Sequence, residues 1–240
     1  GLLGTSLESA AGASLAMMVS LCVGALAAGL AGLGVGIPSL RLKGDYLAIV
    51  TLGFGEIIRV VILNIPAVGG ATGFTDALPI TNFFWIFSVA ILSVVIVRNI
   101  ATSTYGRALA TIRGDEIAAE AMGINTTRYK VLAFVISAAL AGAAGGLSGQ
   151  LFANPLNPQN LNFVKSIEII VMIVLGGIGS TTGAVFGATV LTILPEALRT
   201  FDQQFPGLRM VIYALLLILF MIFRPQGLLG RKELKDLWHR

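Results

Sequence analysis

The chain has 240 residues, 56% of them hydrophobic and only 12% charged, with one cysteine and a formal net charge of +4. A soluble domain carries about 25% charged residues, so the 16 basic and 12 acidic side chains here are too few to cover a water-exposed surface. Disorder requires low hydrophobicity, a phosphate-binding face requires a larger cationic surplus, and a lone Cys22 excludes a disulfide scaffold, which leaves an integral membrane protein.

In chain order, uncharged stretches of 32 residues separate Glu8 from Arg41, 21 separate Asp76 from Arg98, 34 separate Lys130 from Lys165, and 27 separate Glu168 from Glu196. About 20 apolar residues cross a bilayer as a helix. A transmembrane barrel would alternate apolar and polar residues, and stretches such as 86–97 and 215–223 do not alternate. Backbone groups in lipid must bond within their own segment, which also favours helices. The expected fold is all-α, a polytopic transmembrane helical bundle. Its seven hydrophobic segments run roughly over 13–37, 47–64, 81–97, 131–150, 166–179, 183–198 and 207–223. Residues 1–12 read as an outer loop leading into the first helix. The start has no initiator Met, no positive n-region and no cleavable signal, so the sequence reads as a piece lacking N-terminal helices or as a trimmed chain. The fifth and sixth segments are short and flank the glycine-rich stretch 176–183. They are two shortened or tilted helices joined by a tight turn, or a re-entrant pair.

Lys and Arg set the orientation. With the first segment running inward, the inner loops are 38–46, 98–130, 180–182 and 224–240. They hold Arg41, Lys43, Arg98, Arg107, Arg113, Arg128, Lys130, Arg224, Arg231, Lys232, Lys235 and Arg240, which is 12 of the 16 cations. Only Arg59, Lys165, Arg199 and Arg209 lie elsewhere. This bias puts the C-terminal tail, 224–240, in the cytoplasm.

The loop 98–130 concentrates eight charges. Within it, 114–124 reads as a short helix with Asp115 and Glu116 in the first turn, where the helix dipole favours anions, and a glycine stop at Gly123. Ile117, Ala121 and Ile124 share one face, with Arg113 and Glu120 solvated. A second short helix runs through 105–112. The pair presents a knob to a cytosolic partner, or is an ordinary solvated loop.

Glu56 and Arg59 are three apart on one helical face. They line a path for a zwitterionic solute, or they form an ion pair that lowers the cost of two charges near bilayer depth. Thr51, Gly53 and Gly55 break the helix and expose backbone to substrate, or allow close packing. Glu168 and Glu196, with Lys165, Arg199 and Asp202, read as outer solvated or docking residues. Gly24, Ala28, Gly32 and Gly36 repeat every four residues, a spacing that lets helices approach closely. Ala138, Gly142, Gly145, Gly146 and Gly149 make a similar surface, as do Gly183 and Gly187. Trp85 and Trp238 fall near opposite membrane interfaces.

Parts for catalysis are missing. His239 is the only histidine and lies in the basic tail, so no catalytic or metal-ligating constellation is expected, and no phosphate loop occurs. No cofactor is expected, and ATP hydrolysis would have to occur on another chain.

Five stretches carry a family resemblance: RLKGDYLAIVTLGFGEIIR at 41–59, YGRAL at 105–109, EIAAEAMGIN at 116–125, VLGGIGS at 174–180 and FRPQGLLG at 223–230. Together, and in this order, the chain resembles the LivM-type permeases of branched-chain amino-acid ABC importers. The AAEAMG piece at 118–123 also resembles the coupling loop that ABC permeases insert into a cleft of their ATPase. The resemblance implies a single permease domain over 1–240, an ABC importer permease fold, and 98–130 as the cytoplasmic coupling loop. It implies ATPase contacts at Arg107, Arg113, Asp115, Glu116, Ala119, Glu120 and Gly123. It places a translocation path at Thr51, Gly53, Phe54, Glu56 and Arg59. The implied partners are a LivH-type second permease subunit, two cytoplasmic ATPase subunits, an extracytoplasmic substrate-binding protein and membrane lipid. The implied location is the bacterial inner membrane. Two departures matter. The family's usual N-terminal Gly-Gln-x-Ser-x-Gly-His stretch is not present, and ATGFTD stands at 71–76 where the family commonly has Thr-Gly-Gly-Pro-Asn-Gly. The rival expectation is a secondary transporter or channel without an ATPase. It would need ionisable groups at mid-membrane, where only Glu56 and Arg59 qualify, and both read as lying toward one end of their segment.

Overall fold

The computed structural model describes residues 2–42, 44–66, 69–70, 81–150 and 163–198, with 214, 215, 218, 222, 223 and 227 beyond them; the side chains of 2–11 and Asp45 are not described. The described residues form eight helices: α1 (Leu2–Ser39), α2 (Asp45–Leu63), α3 (Phe83–Thr102), α4 (Thr104–Gly114), α5 (Glu116–Ala121), α6 (Thr126–Gly149), α7 (Phe163–Gly176) and α8 (Thr181–Ala197). The first six hydrophobic segments each coincide with one of the longer helices. The seventh, 207–223, lies mostly outside the described residues, as do Lys43, Asp76, Arg199, Asp202, Arg209, Arg224 and Trp238. Among the described residues, four helices are long and apolar enough to cross a membrane: Gly12–Ser39, Tyr46–Leu63, Phe83–Thr102 and Thr126–Gly149.

The chain divides into two compact units, residues 1–162 and 163–240. In the first, α1 is longer than expected. Residues 2–12 continue the helix rather than forming a loop, because no proline or glycine pair interrupts them until Pro38. At 1.5 Å per residue its 38 residues span about 57 Å. Small residues let α1 lie against α6. A methyl group on Gly142 would sit 2.2 Å from the Gly24 carbonyl oxygen and 2.5 Å from Ala28 Cβ, and one on Gly32 would sit 2.6 Å from Ala138 Cβ. The four-residue repeat therefore serves helix packing. Gly145 differs, since nothing among the described residues approaches within 4 Å. At the 81/150 end of this seam, Gln150 Nε2 donates to Ser20 Oγ at 2.8 Å and Thr81 Oγ1 donates to the Leu147 carbonyl at 3.1 Å.

The outward faces of these helices are apolar. Leu30 is 71% exposed and Phe83 80%, and α3 buries no residue in this chain. Contiguous apolar surface of this kind marks a membrane or protein contact. Several hydroxyls inside the helices are satisfied locally, as Ser93 Oγ is by donating to the Val89 carbonyl at 2.7 Å.

In the second unit, the short segments are two helices joined by a tight turn. Gly177 (φ 118°) and Gly179 (φ 99°) adopt left-handed backbone that side chains disfavour, and Ser180 Oγ then caps α8 by accepting from Gly183 N at 3.0 Å. The two helices touch through glycine, since a methyl on Gly176 would lie 2.1 Å from the Gly183 carbonyl oxygen. Near the start of α7, Lys165 pairs with Glu168 at 2.7 Å.

Candidate coupling site

The segment from α3 to α6 is built from successive caps. Ser103 is extended (φ −75°, ψ 175°), which ends α3 and starts α4. Its hydroxyl donates to the Ile100 carbonyl at 2.6 Å and accepts from Gly106 N at 3.4 Å. Gly106 lies at the crossing, where a methyl group would fall 2.2 Å from the Ala101 carbonyl oxygen. Arg107 reaches back to the open end of α3, donating to the Thr102 carbonyl at 3.3 Å and to Thr104 Oγ1 at 3.2 Å. A cation there complements the helix dipole.

Asp115 (φ −153°, ψ 112°) separates α4 from α5. Its Oδ1 accepts from Ile117 N at 2.9 Å and Ala118 N at 3.1 Å, satisfying two donors left open at the start of α5. Asp115 is thus the cap, and Glu116 opens the first turn. At the other end, Gly123 (φ 83°) takes the left-handed conformation. Gly123 N donates to the Glu120 carbonyl at 2.9 Å, and Ile124 N to the Ala119 carbonyl at 3.0 Å, the paired bonds of a Schellman cap. Asn125 Oδ1 then accepts from Arg128 N at 3.0 Å and opens α6.

The side chains of α5 divide into two sets. Ala119 is fully buried, whereas Ile117 is 76% and Met122 81% exposed. Glu116 Oε1 accepts from Lys130 Nζ at 2.6 Å, and Glu120 Oε1 accepts from Thr126 Oγ1 at 2.8 Å. Glu120 is exposed, as the sequence suggests, and its carboxylate also bonds to α6. Arg113 stays exposed in the last turn of α4. Tyr105 on α4 and Tyr129 on α6 meet with ring centroids 5.7 Å apart. Beside them, an apolar groove of about 290 Å³ is lined by Ile100, Leu109, Leu132 and Ile136. The seven residues singled out in the sequence thus have distinct places: Arg107, Asp115 and Gly123 shape the backbone, Glu116 and Glu120 bond to α6, Ala119 is packed inside, and Arg113 is free to meet solvent. Lys130 shows in the sequence only as one of the loop's charges, and Thr126 and Tyr129 carry no signal there beyond the Asn125 cap, which fixes where α6 begins.

The second group lies on α2, which is continuous and unbroken from Asp45 to Leu63. Thr51 does not open the helix; its hydroxyl donates back to the Leu47 carbonyl at 2.8 Å and the Ala48 carbonyl at 3.0 Å. Nothing approaches Gly53 or Gly55 within 4 Å, so neither serves packing among the described residues. Phe54 is half-buried. Arg59 grips Glu56 through a forked pair, with Nε 3.0 Å from both carboxylate oxygens. In the apolar window Tyr46–Leu63, Glu56 falls about 2 Å from the midpoint and Arg59 about 7 Å from it, at 1.5 Å per residue. Glu56 is thus near mid-span rather than toward one end. No cluster of metal-ligating side chains occurs among the described residues.

The family model for the branched-chain amino acid transport system permease component matches residues 2–221. The chain is 36% identical over 244 residues to the high-affinity branched-chain amino acid transport system permease protein LivM of Salmonella typhimurium, covering 85% of this chain and 56% of that protein. It is 35% identical to LivM of Escherichia coli, over 90% of this chain and 58% of that protein. The permease protein LivH of Escherichia coli is 39% identical over 133 residues, 55% of this chain and 42% of its own length. The chain thus spans a little over half the length of the LivM relatives. No solved structure matches it.

Proposed function

The chain belongs to the branched-chain amino acid transport system permease component family, and from that premise we propose that it is a transmembrane part of an ATP-driven importer of branched-chain or related amino acids. It works in the bacterial inner membrane, with its C-terminal tail in the cytoplasm. A binding protein delivers the solute from outside. A LivH-type subunit completes the path, and two ATPase subunits supply the energy from the cytoplasmic side. This chain carries no hydrolytic chemistry. Residues 98–130 of its permease domain form the coupling loop.

The observation that supports this most directly is the capped knob α4–α5. Ile117 stands exposed on a six-residue helix whose ends are both fixed, and Met122 stands exposed at its C-cap. An exposed apolar pair on a rigid support suits insertion into a cleft of a partner. The ATPase grips these side chains with Arg113 beside them, and ATP-driven closure pushes the knob so that the spans rock between outward and inward access. The α2 group lines the path: Glu56 and Arg59 form a dipolar pair at bilayer depth, half and one-quarter exposed among the described residues, suited to a solute carrying both charges.

The test is uptake of radiolabelled leucine by the full-length chain in its complex. Glu120→Lys or Gly123→Pro abolishes uptake and leaves the protein in the membrane; unchanged uptake rules out the coupling assignment. The mid-span position of Glu56 favours a second reading, an ion-coupled transporter. ATP-independent uptake by the purified chain would decide for it.

A further inference from the structure

Helix α5 has six residues, too few to hold its shape alone. Glu116 and Glu120 are four apart, so both carboxylates project from one face. Thr126 and Lys130 are also four apart, at the start of α6. The bonds run Glu116 to Lys130 at 2.6 Å and Glu120 to Thr126 at 2.8 Å. The two rungs cross in antiparallel register, so each fixes the distance that the other leaves free. Thr126 is 3% exposed, and the ion-pair side chains are 22% and 27% exposed for Lys130 and Glu116, so water screens them less than a surface pair. The connection between the helices is fixed by the Gly123 turn and the Asn125 cap. The Tyr105–Tyr129 contact ties α4 to the same turn of α6.

Resting on the coupling reading above, we propose that Lys130 and Thr126 are positioning residues that brace α5 against α6, so that a push on Ile117 and Met122 moves α6 as one body with the knob. Glu116 and Glu120 then serve as internal struts and not as contacts to the ATPase. From α6 the displacement passes to α1 across the Gly24–Gly142 seam, where the backbones are too close to slide independently. An ordinary stabilising ion pair would raise the unfolding temperature only; a brace also sets how much solute moves for each ATP hydrolysed.

The experiment uses the full-length chain in its reconstituted complex, with leucine as the transported probe and ATP hydrolysis measured in parallel. Lys130→Glu places two acids face to face. It is expected to retain the ATPase and its hydrolysis while leucine moved per ATP falls about tenfold, the scale of a lost contact between neighbouring groups. Reversing both charges, Glu116→Lys with Lys130→Glu, is expected to bring the ratio back to within about twofold. Thr126→Val, which keeps shape and removes the donor, lowers the ratio without changing charge and serves if Lys130→Glu fails to reach the membrane. A wild-type ratio in either single variant overturns the brace, as does a double reversal that recovers nothing. If the unaltered chain purifies without an ATPase, the importer reading and the brace fall together. If the ATPase is present and the ratios do not move, the brace alone is wrong.

Discussion

Gly142 and Gly24 face each other so closely that a methyl group on Gly142 would lie 2.2 Å from the Gly24 carbonyl oxygen. The obstacle is backbone, which cannot rotate away as a side chain would. Gly142→Ala forces α1 and α6 apart and costs about 1–3 kcal/mol. Gly145, one turn along the same helix, has nothing within 4 Å. Gly145→Ala is therefore neutral or stabilising by up to about 1 kcal/mol, from the helix preference of alanine over glycine. Thermal unfolding in detergent compares the two. Equal midpoints for both variants contradict the close seam.

Asp115 holds two backbone N–H groups through one carboxylate oxygen. Asp115→Ala removes the cap and costs α5 about 1 kcal/mol. Amide exchange over residues 117–121 accelerates several-fold, while Asp115→Asn, which keeps an accepting oxygen, stays near wild type. Unaltered exchange in Asp115→Ala would mean that α5 draws its order from elsewhere.

Much of this was legible in the sequence, for reasons that are local. Charge-free stretches give the spans because hydrocarbon excludes charge, and Gly123 announces the end of α5 because only glycine takes a φ of 83° without strain. The four-residue repeat of small side chains gave the face that α1 presents to α6. The rungs were not legible. Lys130 lies fourteen positions beyond Glu116 in sequence, and their meeting depends on the angle at which Gly123 and Asn125 turn the chain. The sequence left open whether Thr51 and its neighbouring glycines interrupt α2 or allow close packing. A hydroxyl that bonds back to the Leu47 and Ala48 carbonyls satisfies itself instead, and the helix runs on.

Glu56 and Arg59 neutralise each other in a span that is otherwise apolar. Glu56→Gln strands a guanidinium near bilayer depth, where an unpaired charge is costly. Less protein accumulates in the membrane, and leucine uptake falls with it. Replacing both with leucine restores the membrane level. If the pair lines the path, uptake per molecule stays low in the double variant; full uptake at the restored level would make the pair structural.

Crosslinking tests whether Ile117 on α5 and Met122 at its C-cap meet an ATPase. In a Cys22→Ser background, single cysteines at Ile117, Met122 and Ala119 are treated with a short bifunctional thiol reagent in membranes containing the whole complex. Ile117 and Met122 are exposed and Ala119 is fully buried. Adducts with the ATPase subunit are expected at 117 and 122 and none at 119. Absence of ATPase adducts at both exposed positions, in complexes that still import leucine, would contradict it.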